Sequence, residues 1–234
     1  MPTNPYANAL IVGAGPGLGA SLARAFIRDA GMRVIVAARR LDKLEAIARE
    51  TGADALACDS TDDAAVTALF DAATQQLGGA PEVVVYNASQ RVRGPFVSVD
   101  PAAVAQAISV TAYGAFLVAQ QAARRMLPRG QGAILFTGAS AGVKGYPQSA
   151  AFAMGKFALR GLAQSMAREL APQGIHVGHI VIDGGIRPPN DAADNGKDDH
   201  LDPDAIASTY LHLLSQPRSA WTWEIEVRPW TERF

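Results

Sequence analysis

The sequence is short of cysteine, and neither sign of charge is in excess. Cys58 is the only cysteine among 234 residues, so an internal disulfide cannot form and a reducing compartment is expected. The 21 Lys and Arg residues are balanced by 22 Asp and Glu residues. The resulting net charge of −1 gives no bulk attraction to nucleic acid or to an anionic membrane. We therefore predict a cytoplasmic protein with no nucleic-acid partner.

Long apolar runs and signal-like segments are lacking as well. The first residues, MPTNPYAN, do not combine a basic stretch with an apolar run. No apolar run is expected to approach the ~20 residues that a membrane-spanning helix needs. We therefore predict no membrane partner.

Histidine is also scarce, and the four histidines do not suggest a metal site. His176 and His179 are three residues apart in a predicted strand, so their side chains should point to opposite faces of the sheet. His200 and His212 lie far from them in the sequence. No Ser-His-Asp set is evident either, and we predict no bound metal.

What the sequence does contain is a regular alternation of two kinds of segment. Short, mostly apolar β-rich runs alternate with longer stretches of helical periodicity, and near-continuous apolar runs are typical of strands covered on both faces. The predicted strands are 9–13, 33–39, 54–59, 82–87, 133–138 and 175–183, with a seventh within 221–230. We predict one α/β domain over residues 1–234, a Rossmann-type doubly wound parallel sheet of about seven strands with helices on both faces.

One polar segment, at about 187–200, breaks this pattern. It reads RPPNDAADNGKDDH, with many turn-forming residues and no periodicity. Because it follows a predicted strand end, where ligands bind in sheets of this kind, it could form a lid over a substrate. A solvated surface loop is the alternative, and both interpretations stay open.

The first strand runs directly into a glycine-rich turn, GAGPGLG, at the start of a helix. Glycine permits the tight turn and lets the backbone approach a pyrophosphate, while the helix N-terminus supplies free N–H donors. The strand–turn–helix context is the one in which such a motif binds a dinucleotide. The predicted phosphate-binding residues are Gly13, Gly15, Gly17, Leu18 and Gly19.

The end of the second strand indicates which dinucleotide is bound. Ala37 and Ala38 stand where an NAD-binding fold carries an acid for the ribose 2′-hydroxyl, and Arg39 and Arg40 follow. Arginine can bind a 2′-phosphate in a bidentate manner. We predict NADP(H) in preference to NAD(H), against the alternative that both arginines are merely solvated.

With CDSTD at 58–62, YNAS at 86–89 and AMGK at 153–156, the sequence resembles the short-chain dehydrogenase/reductase superfamily over nearly its whole length. The resemblance implies that Lys156 hydrogen-bonds the nicotinamide ribose. It also implies a homodimer or homotetramer that pairs through the two long helices, predicted at about 101–127 and 150–171. The cofactor contacts implied by the resemblance are Asp59 and Ser60 at the adenine, Asn87 and Ala88 along the cofactor, and Ile186 at the nicotinamide. The apolar residues considered for pairing are Phe116, Val118, Phe157, Leu159 and Leu162.

The catalytic positions depart from the family's pattern. The tyrosine that serves as general acid and base, four residues before the lysine, is replaced by Phe152, which cannot exchange a proton. The substrate-orienting serine aligns with Ala139, and the helix asparagine aligns near Thr111. Ser140 is adjacent, but along a strand it would point to the opposite face. Only Lys156 matches among the four positions.

Two functions therefore stay open. The first is an oxidoreductase that transfers hydride between NADP(H) and a small-molecule substrate with an atypical proton donor. Its candidate catalytic residues are Lys156, Tyr146 and Ser140, with Ser149 and water as further donors, although Tyr146 could instead pack on the surface. The second is a catalytically inactive NADP(H)-binding protein that acts as a sensor or a scaffold subunit.

Overall fold

The structure, a computed structural model, describes residues 4–189 and 199–232. In this part of the chain, seven parallel strands form one sheet in the order β3-β2-β1-β4-β5-β6-β7. The strands are β1 Asn8–Val12, β2 Arg33–Ala38, β3 Asp54–Ala57, β4 Val83–Tyr86, β5 Gly132–Thr137, β6 Ile175–Ile182 and β7 Glu224–Val227. This order and the helices on both faces confirm the predicted Rossmann-type doubly wound sheet.

The helices lie in two layers, one on each face of the sheet. They are α1 Leu18–Arg28, α2 Asp42–Thr51, α3 Asp63–Leu77, α4 Pro101–Ile108, α5 Gly114–Met126, α6 Ala150–Leu170 and α7 Pro203–Leu214. Side chains of α1, α2 and α7 pack in one apolar core, and side chains of α3, α5 and α6 pack in the other. Every residue of β4, β5 and β6 is buried, as expected for central strands covered on both faces.

The first of the two long helices, predicted at about 101–127, is interrupted in the structure. A π-helical turn, Ser109–Tyr113, separates α4 from α5. The hydroxyl of Tyr86 donates a hydrogen bond to the Val110 carbonyl at 2.5 Å within this turn. A Cβ atom on Gly114 would lie 2.6 Å from the same hydroxyl, so the helix approaches β4 closely at the point where its winding changes. A π-helical turn of this kind is frequent at functional sites.

The stretch Pro101–Arg129 is long and apolar enough to cross a membrane by length and composition alone. The sequence analysis did not anticipate a run of this length. In the structure, α5 contributes Leu117, Val118 and Met126 to the apolar core against the sheet. The stretch is therefore accounted for as a core helix of this fold.

The structure separates core-facing from outward-facing residues on the two long helices. Phe116 and Phe157 are exposed, and so are Tyr113 and Met154 near them, whereas Val118 and Leu159 are fully buried. Leu162 packs against the core and is partly buried. Of the five residues considered for pairing, only the two phenylalanines thus offer a large exposed surface.

Most of the polar segment at 187–200 cannot be compared with the prediction of a lid, because residues 190–198 lie outside the described residues. At its two ends, Arg187 N donates to the Leu201 carbonyl at 2.9 Å and Leu201 N donates to the Gly185 carbonyl at 2.8 Å. The two ends of the segment are therefore joined beside the carboxyl end of β6. The helix that follows, α7, has Asp202 as its N-cap and Pro203 in its first turn.

Candidate active site

The glycine-rich turn is closed by backbone contacts that require glycine at its first position. Gly13 has φ of 88°, and its N–H donates to the Ala37 carbonyl at 2.8 Å. A Cβ atom there would lie 2.2 Å from the backbone nitrogen of Ala88. Both the left-handed conformation and this close approach exclude a larger residue. The turn is therefore packed directly against the chain leaving β4.

The other side of the turn is open. Cβ atoms at Gly15 and Gly17 would meet nothing within 4 Å, whereas one at Gly19 would press against Ala14. No side chain caps the N-terminus of α1, which begins at Leu18 after Gly17. Space beside the backbone and an uncapped helix N-terminus are what a pyrophosphate group needs, so these residues fit the predicted dinucleotide.

Beyond the turn lies a cavity of about 240 Å³ at the carboxyl ends of β1, β2 and β4. Six of the predicted cofactor residues line it: Gly13, Arg39, Asp59, Ser60, Asn87 and Ala88. The amide of Asn87 donates to the Gly13 carbonyl at 2.9 Å and thereby ties the end of β4 to the glycine turn. The predicted adenosine end of the site is thus assembled from four neighbouring segments.

The two arginines after β2 differ in what they contact. Arg40 pairs with Asp42 at 2.5 Å in the solvent-exposed first turn of α2. Arg39 lines the cavity and forms no hydrogen bond or ion pair within the described part of the chain. The backbone N–H of Thr61 lowers the pKa of the Asp59 carboxyl, and the charge of Arg39 adds to this effect. Arg39 is therefore the arginine available to a 2′-phosphate.

A second cavity, of about 860 Å³, continues from the first at Asn87 and Ser89, which line both. It is formed by the segments that follow β4, β5 and β6 and by the start of α6. The predicted residues that line it are Leu18, Asn87, Ala139, Ser140, Tyr146, Ser149, Phe152, Lys156 and Ile186. The structure therefore brings the nicotinamide-side predictions together in one place.

Lys156 lies at the inner end of this cavity and is only 2% exposed. Its ammonium group donates a hydrogen bond of 2.7 Å to the Thr137 carbonyl at the end of β5. Burial, with the nearby charge of Arg91, lowers its pKa from 10.5 to about 7. The protein itself thus supplies a polar partner, and the head group does not reach solvent as a snorkelling lysine would.

Phe152 lies one helical turn before Lys156 and is contacted by two cations. The Cζ atom of Arg91 is 4.5 Å from the centre of the phenyl ring, and Nζ of Lys156 is 5.7 Å from it. Arg91 and Arg93 both line the cavity, and the sequence analysis missed them. The signal was present, because QRVRG immediately follows the YNAS motif at the carboxyl end of a buried strand.

Ser140 is better placed than strand alternation suggested. β5 ends at Thr137, and Ser140 begins a single 3₁₀ turn that lines the cavity. The argument that it must point to the opposite face does not apply, because the chain has already left the strand. Ala139 also lines the cavity, but it offers no hydroxyl.

Tyr146 lies at the mouth of the cavity and is exposed. Nζ of Lys144 is 5.7 Å from the centre of its ring, and the same ammonium group pairs with Asp183 at 3.3 Å. The pKa of Lys144 is raised, first by a hydrogen bond with Tyr146 and then by Asp183. Tyr146 is therefore an aromatic residue on the surface, and it also borders the cavity in which a proton donor is expected.

Thr111, at the position of the family's asparagine, is buried in the π-helical turn. Its Oγ1 accepts a hydrogen bond of 3.2 Å from the backbone N–H of Gln90. The side chain is thus used to hold the segment that carries Arg91.

Comparisons with known proteins agree with this fold. The family model described as short chain dehydrogenase matches residues 7–197. An uncharacterized oxidoreductase of Staphylococcus aureus (strain N315) is 29% identical over 227 residues, 94% of this chain and 96% of that protein. The crystal structure of a short-chain dehydrogenase from Rhodopseudomonas palustris is 34% identical, with a TM-score of 0.80 over 95% of this chain and 99% of that one. A metagenomic short-chain oxidoreductase crystallised in complex with NADP is 28% identical, with a TM-score of 0.81 over 95% and 97% of the two chains.

Proposed function

The chain belongs to the short-chain dehydrogenase/reductase family, and from this premise we propose that it is an NADP(H)-dependent oxidoreductase acting on a small molecule through an atypical proton donor. The observation that carries the proposal is the placement of Lys156. Lys156 is buried, its pKa is lowered, and it lies at the inner end of a cavity that continues to the glycine-rich turn. This combination is typical of a functional site.

The cofactor preference is supported at the adenosine end. Arg39 lines the cavity without an ion pair within the described residues, and no acid follows β2 directly. The similarity to a metagenomic relative that was crystallised with NADP points the same way. An NAD-preferring site of this fold carries a carboxylate for the ribose 2′-hydroxyl, and Ala37 and Ala38 provide none.

When bound, the nicotinamide supplies or accepts the hydride, and the residues of this chain orient the reactants. Lys156 would donate to the nicotinamide ribose, and Ile186 would border the ring. Phe152 closes the inner wall but can neither donate nor accept a proton. The proton would come from a hydroxyl that lines the cavity, that of Tyr146, Ser140 or Ser149, or from water. Positioned proton transfer contributes about 10²- to 10⁴-fold to such rates, so the choice of donor matters.

A direct test compares NADPH and NADH in fluorescence titrations of three proteins. Arg39→Gln should weaken NADPH binding about 10- to 100-fold, because a hydrogen bond to a charged group contributes roughly 1.5–3 kcal/mol. NADH binding should change little, since NADH has no 2′-phosphate. Arg40→Gln is the matched control, because Arg40 already pairs with Asp42, and it should leave both affinities nearly unchanged. A wild-type preference for NADH would contradict the proposed cofactor.

Phe152 favours a second candidate function, an inactive NADP(H)-binding sensor or scaffold. The two candidates differ in turnover. A screen of carbonyl and alkene substrates with NADPH should find oxidation of the cofactor that disappears in Lys156→Ala. If tight NADPH binding is accompanied by no oxidation above blank over a broad screen, the sensor is the better description.

The protein is further proposed to be cytoplasmic and to form a homodimer or homotetramer through α4, α5 and α6. Tyr113 stacks with Phe116, with ring centres 6.4 Å apart, on the outward face of the long helix. Met154 and Phe157 add exposed apolar surface on α6. Exposed apolar groups of this size are a feature of protein interfaces. Light scattering of the purified protein measures the assembly, and a monomer at high concentration would contradict it.

A further inference from the structure

The chain that leaves β4 is fixed at two points on either side of a pair of arginines. Gln90 N donates to Oγ1 of Thr111 at 3.2 Å, and Gly94 N donates to the Gln148 carbonyl at 3.1 Å. Gln148 is the one non-glycine residue with a positive φ, 58°, in the part of the chain that the structure describes. A strained backbone of this kind persists only where the surroundings enforce it. The segment 90–94 is therefore held against the cavity and is not a free loop.

Both arginines of this segment, Arg91 and Arg93, line the large cavity. The guanidinium of Arg91 lies over the ring of Phe152, with Cζ 4.5 Å from the ring centre. A guanidinium on an aromatic face keeps the N–H donors along its edge available to an anion. Within the described residues, neither arginine forms a hydrogen bond or an ion pair.

The charges around this cavity are not balanced locally. Burial and the charge of Arg93 lower the pKa of Arg91, and Arg91 in turn helps to lower the pKa of Lys156. Two carboxylates also line the cavity. Asp183 is paired with Lys144 at 3.3 Å, and Glu232 forms no ion pair with either arginine. Arg91 and Arg93 are exposed, so water screens part of their repulsion, and a bound anion would reduce what remains between them and the buried Lys156.

We propose that Arg91, assisted by Arg93, binds an oxyanion of the substrate, so that the substrate is a small carbonyl compound bearing a carboxylate or phosphate group. That the bound compound is a substrate rests on the proposed function. Binding of its oxyanion to Arg91 requires no turnover. Arg91 and Lys156 contact the same phenyl ring, so an anion on Arg91 and a carbonyl group near Lys156 can belong to one small molecule. A planar guanidinium matches both oxyanions in a bidentate manner.

The proposal also explains two departures from the family's pattern, Phe152 and Thr111. Phe152 provides the face on which the Arg91 guanidinium lies, and Thr111 holds the segment that carries Arg91. Both positions thus serve substrate binding in this chain, where the family's pattern has a proton-exchanging tyrosine and an asparagine.

The test is a calorimetric titration of the protein, with and without NADP⁺, using 4-formylbenzoate, 4-formylbenzamide and 4-formylphenyl phosphate. The first two are nearly equal in size and shape, and one carries a carboxylate where the other carries a neutral amide. At least one anion should bind about tenfold or more tightly than the amide, because a charged hydrogen bond contributes roughly 1.5–3 kcal/mol. The comparison of the two anions identifies which oxyanion is preferred.

Variants locate the effect on Arg91. Arg91→Gln should bring the anion-to-amide affinity ratio close to one, Arg91→Lys should keep part of it, and Arg93→Gln should reduce it less. Arg49→Gln, at an exposed position on α2, is the matched control and should leave the ratio unchanged. NADPH affinity and the thermal midpoint of each variant establish that it folds.

The outcomes separate this inference from the proposed function. Anion binding that depends on Arg91, without any reduction of the aldehyde, supports the anion site and leaves the choice between oxidoreductase and sensor to the substrate screen described above. When NADPH replaces NADP⁺ and its oxidation is followed by absorbance, reduction of all three aldehydes with equal efficiency in wild type and Arg91→Gln supports the oxidoreductase and overturns the anion site. Equal affinities for anions and amide in the wild type overturn it as well.

Discussion

Lys156 provides a prediction whose sign and size follow from its burial. Replacement by Met keeps the length of the side chain and removes its charge. In the folded protein the pKa of Lys156 is lowered from 10.5 to about 7, so the unfolded chain binds more protons between these values. The free energy of unfolding of the wild type should therefore rise with pH across this window. The cost of the buried charge is largest below about pH 7 and is gone above about pH 10.5.

The size of this stability effect follows from the difference between the pKa of Lys156 in the unfolded and folded states. At about 1.4 kcal/mol per pH unit, the charge costs up to about 4 kcal/mol more at pH 7 than at pH 10. Met loses the 2.7 Å hydrogen bond to the Thr137 carbonyl, which offsets roughly 1.5–3 kcal/mol of the gain. Lys156→Met should therefore be more stable than the wild type by about 1–3 kcal/mol near pH 6, and this advantage should vanish by about pH 10.

Urea denaturation of the cofactor-free protein, followed by circular dichroism at several pH values, measures this difference. Lys43→Met is the matched control, because Lys43 is exposed on α2 and its replacement should give a difference that does not change with pH. A Lys156→Met difference that is equally independent of pH would refute the reasoning. That result would mean that the ammonium group is effectively solvated in the folded protein.

Two further predictions concern the glycine turn and the missing hydroxyl. Gly13→Ala should destabilise the fold by more than about 2 kcal/mol in urea denaturation, because its Cβ would meet Ala88 at 2.2 Å in a left-handed backbone conformation. Gly15→Ala, whose Cβ meets open space, should keep the stability while weakening nucleotide binding in a fluorescence titration. Phe152→Tyr should restore little carbonyl reduction, measured as NADPH oxidation, because Ala139 still offers no hydroxyl to orient a substrate; robust activity of this single variant would contradict the expectation.

The fold could be predicted from the sequence because its strands are buried on both faces. β4, β5 and β6 are near-continuous apolar runs whose every residue is buried, a pattern typical of strands covered on both faces. The predicted limits of these three strands differ from the observed ones by one residue at most. The last strand was located only within ten residues, because β7 is a partly exposed edge with alternating charge.

The site could be predicted where its chemistry is local in the sequence. The glycine turn is a contiguous motif between a strand and a helix, and it needs no knowledge of distant contacts. Arg91 was missed because its role depends on its contact with the ring of Phe152, which lies 61 positions further along the chain. Ser140 was misjudged because the alternation of side chains along a strand was applied beyond the end of the strand, which is Thr137 in the structure.

The departures from the family's catalytic pattern are not independent of one another, and this bears on the choice between the two candidate functions. If the site had lost its function, the residues at the tyrosine and asparagine positions would be expected to change independently, with no common contact. Here Phe152 contacts the guanidinium of Arg91, and Thr111 holds Gln90, the neighbour of Arg91. Lys156 remains buried next to the same ring although its burial costs free energy. Lys156 is retained although its burial is unfavourable, and the replacements Phe152 and Thr111 both support Arg91. These two facts favour a site adapted to a different substrate over a site that has lost its function.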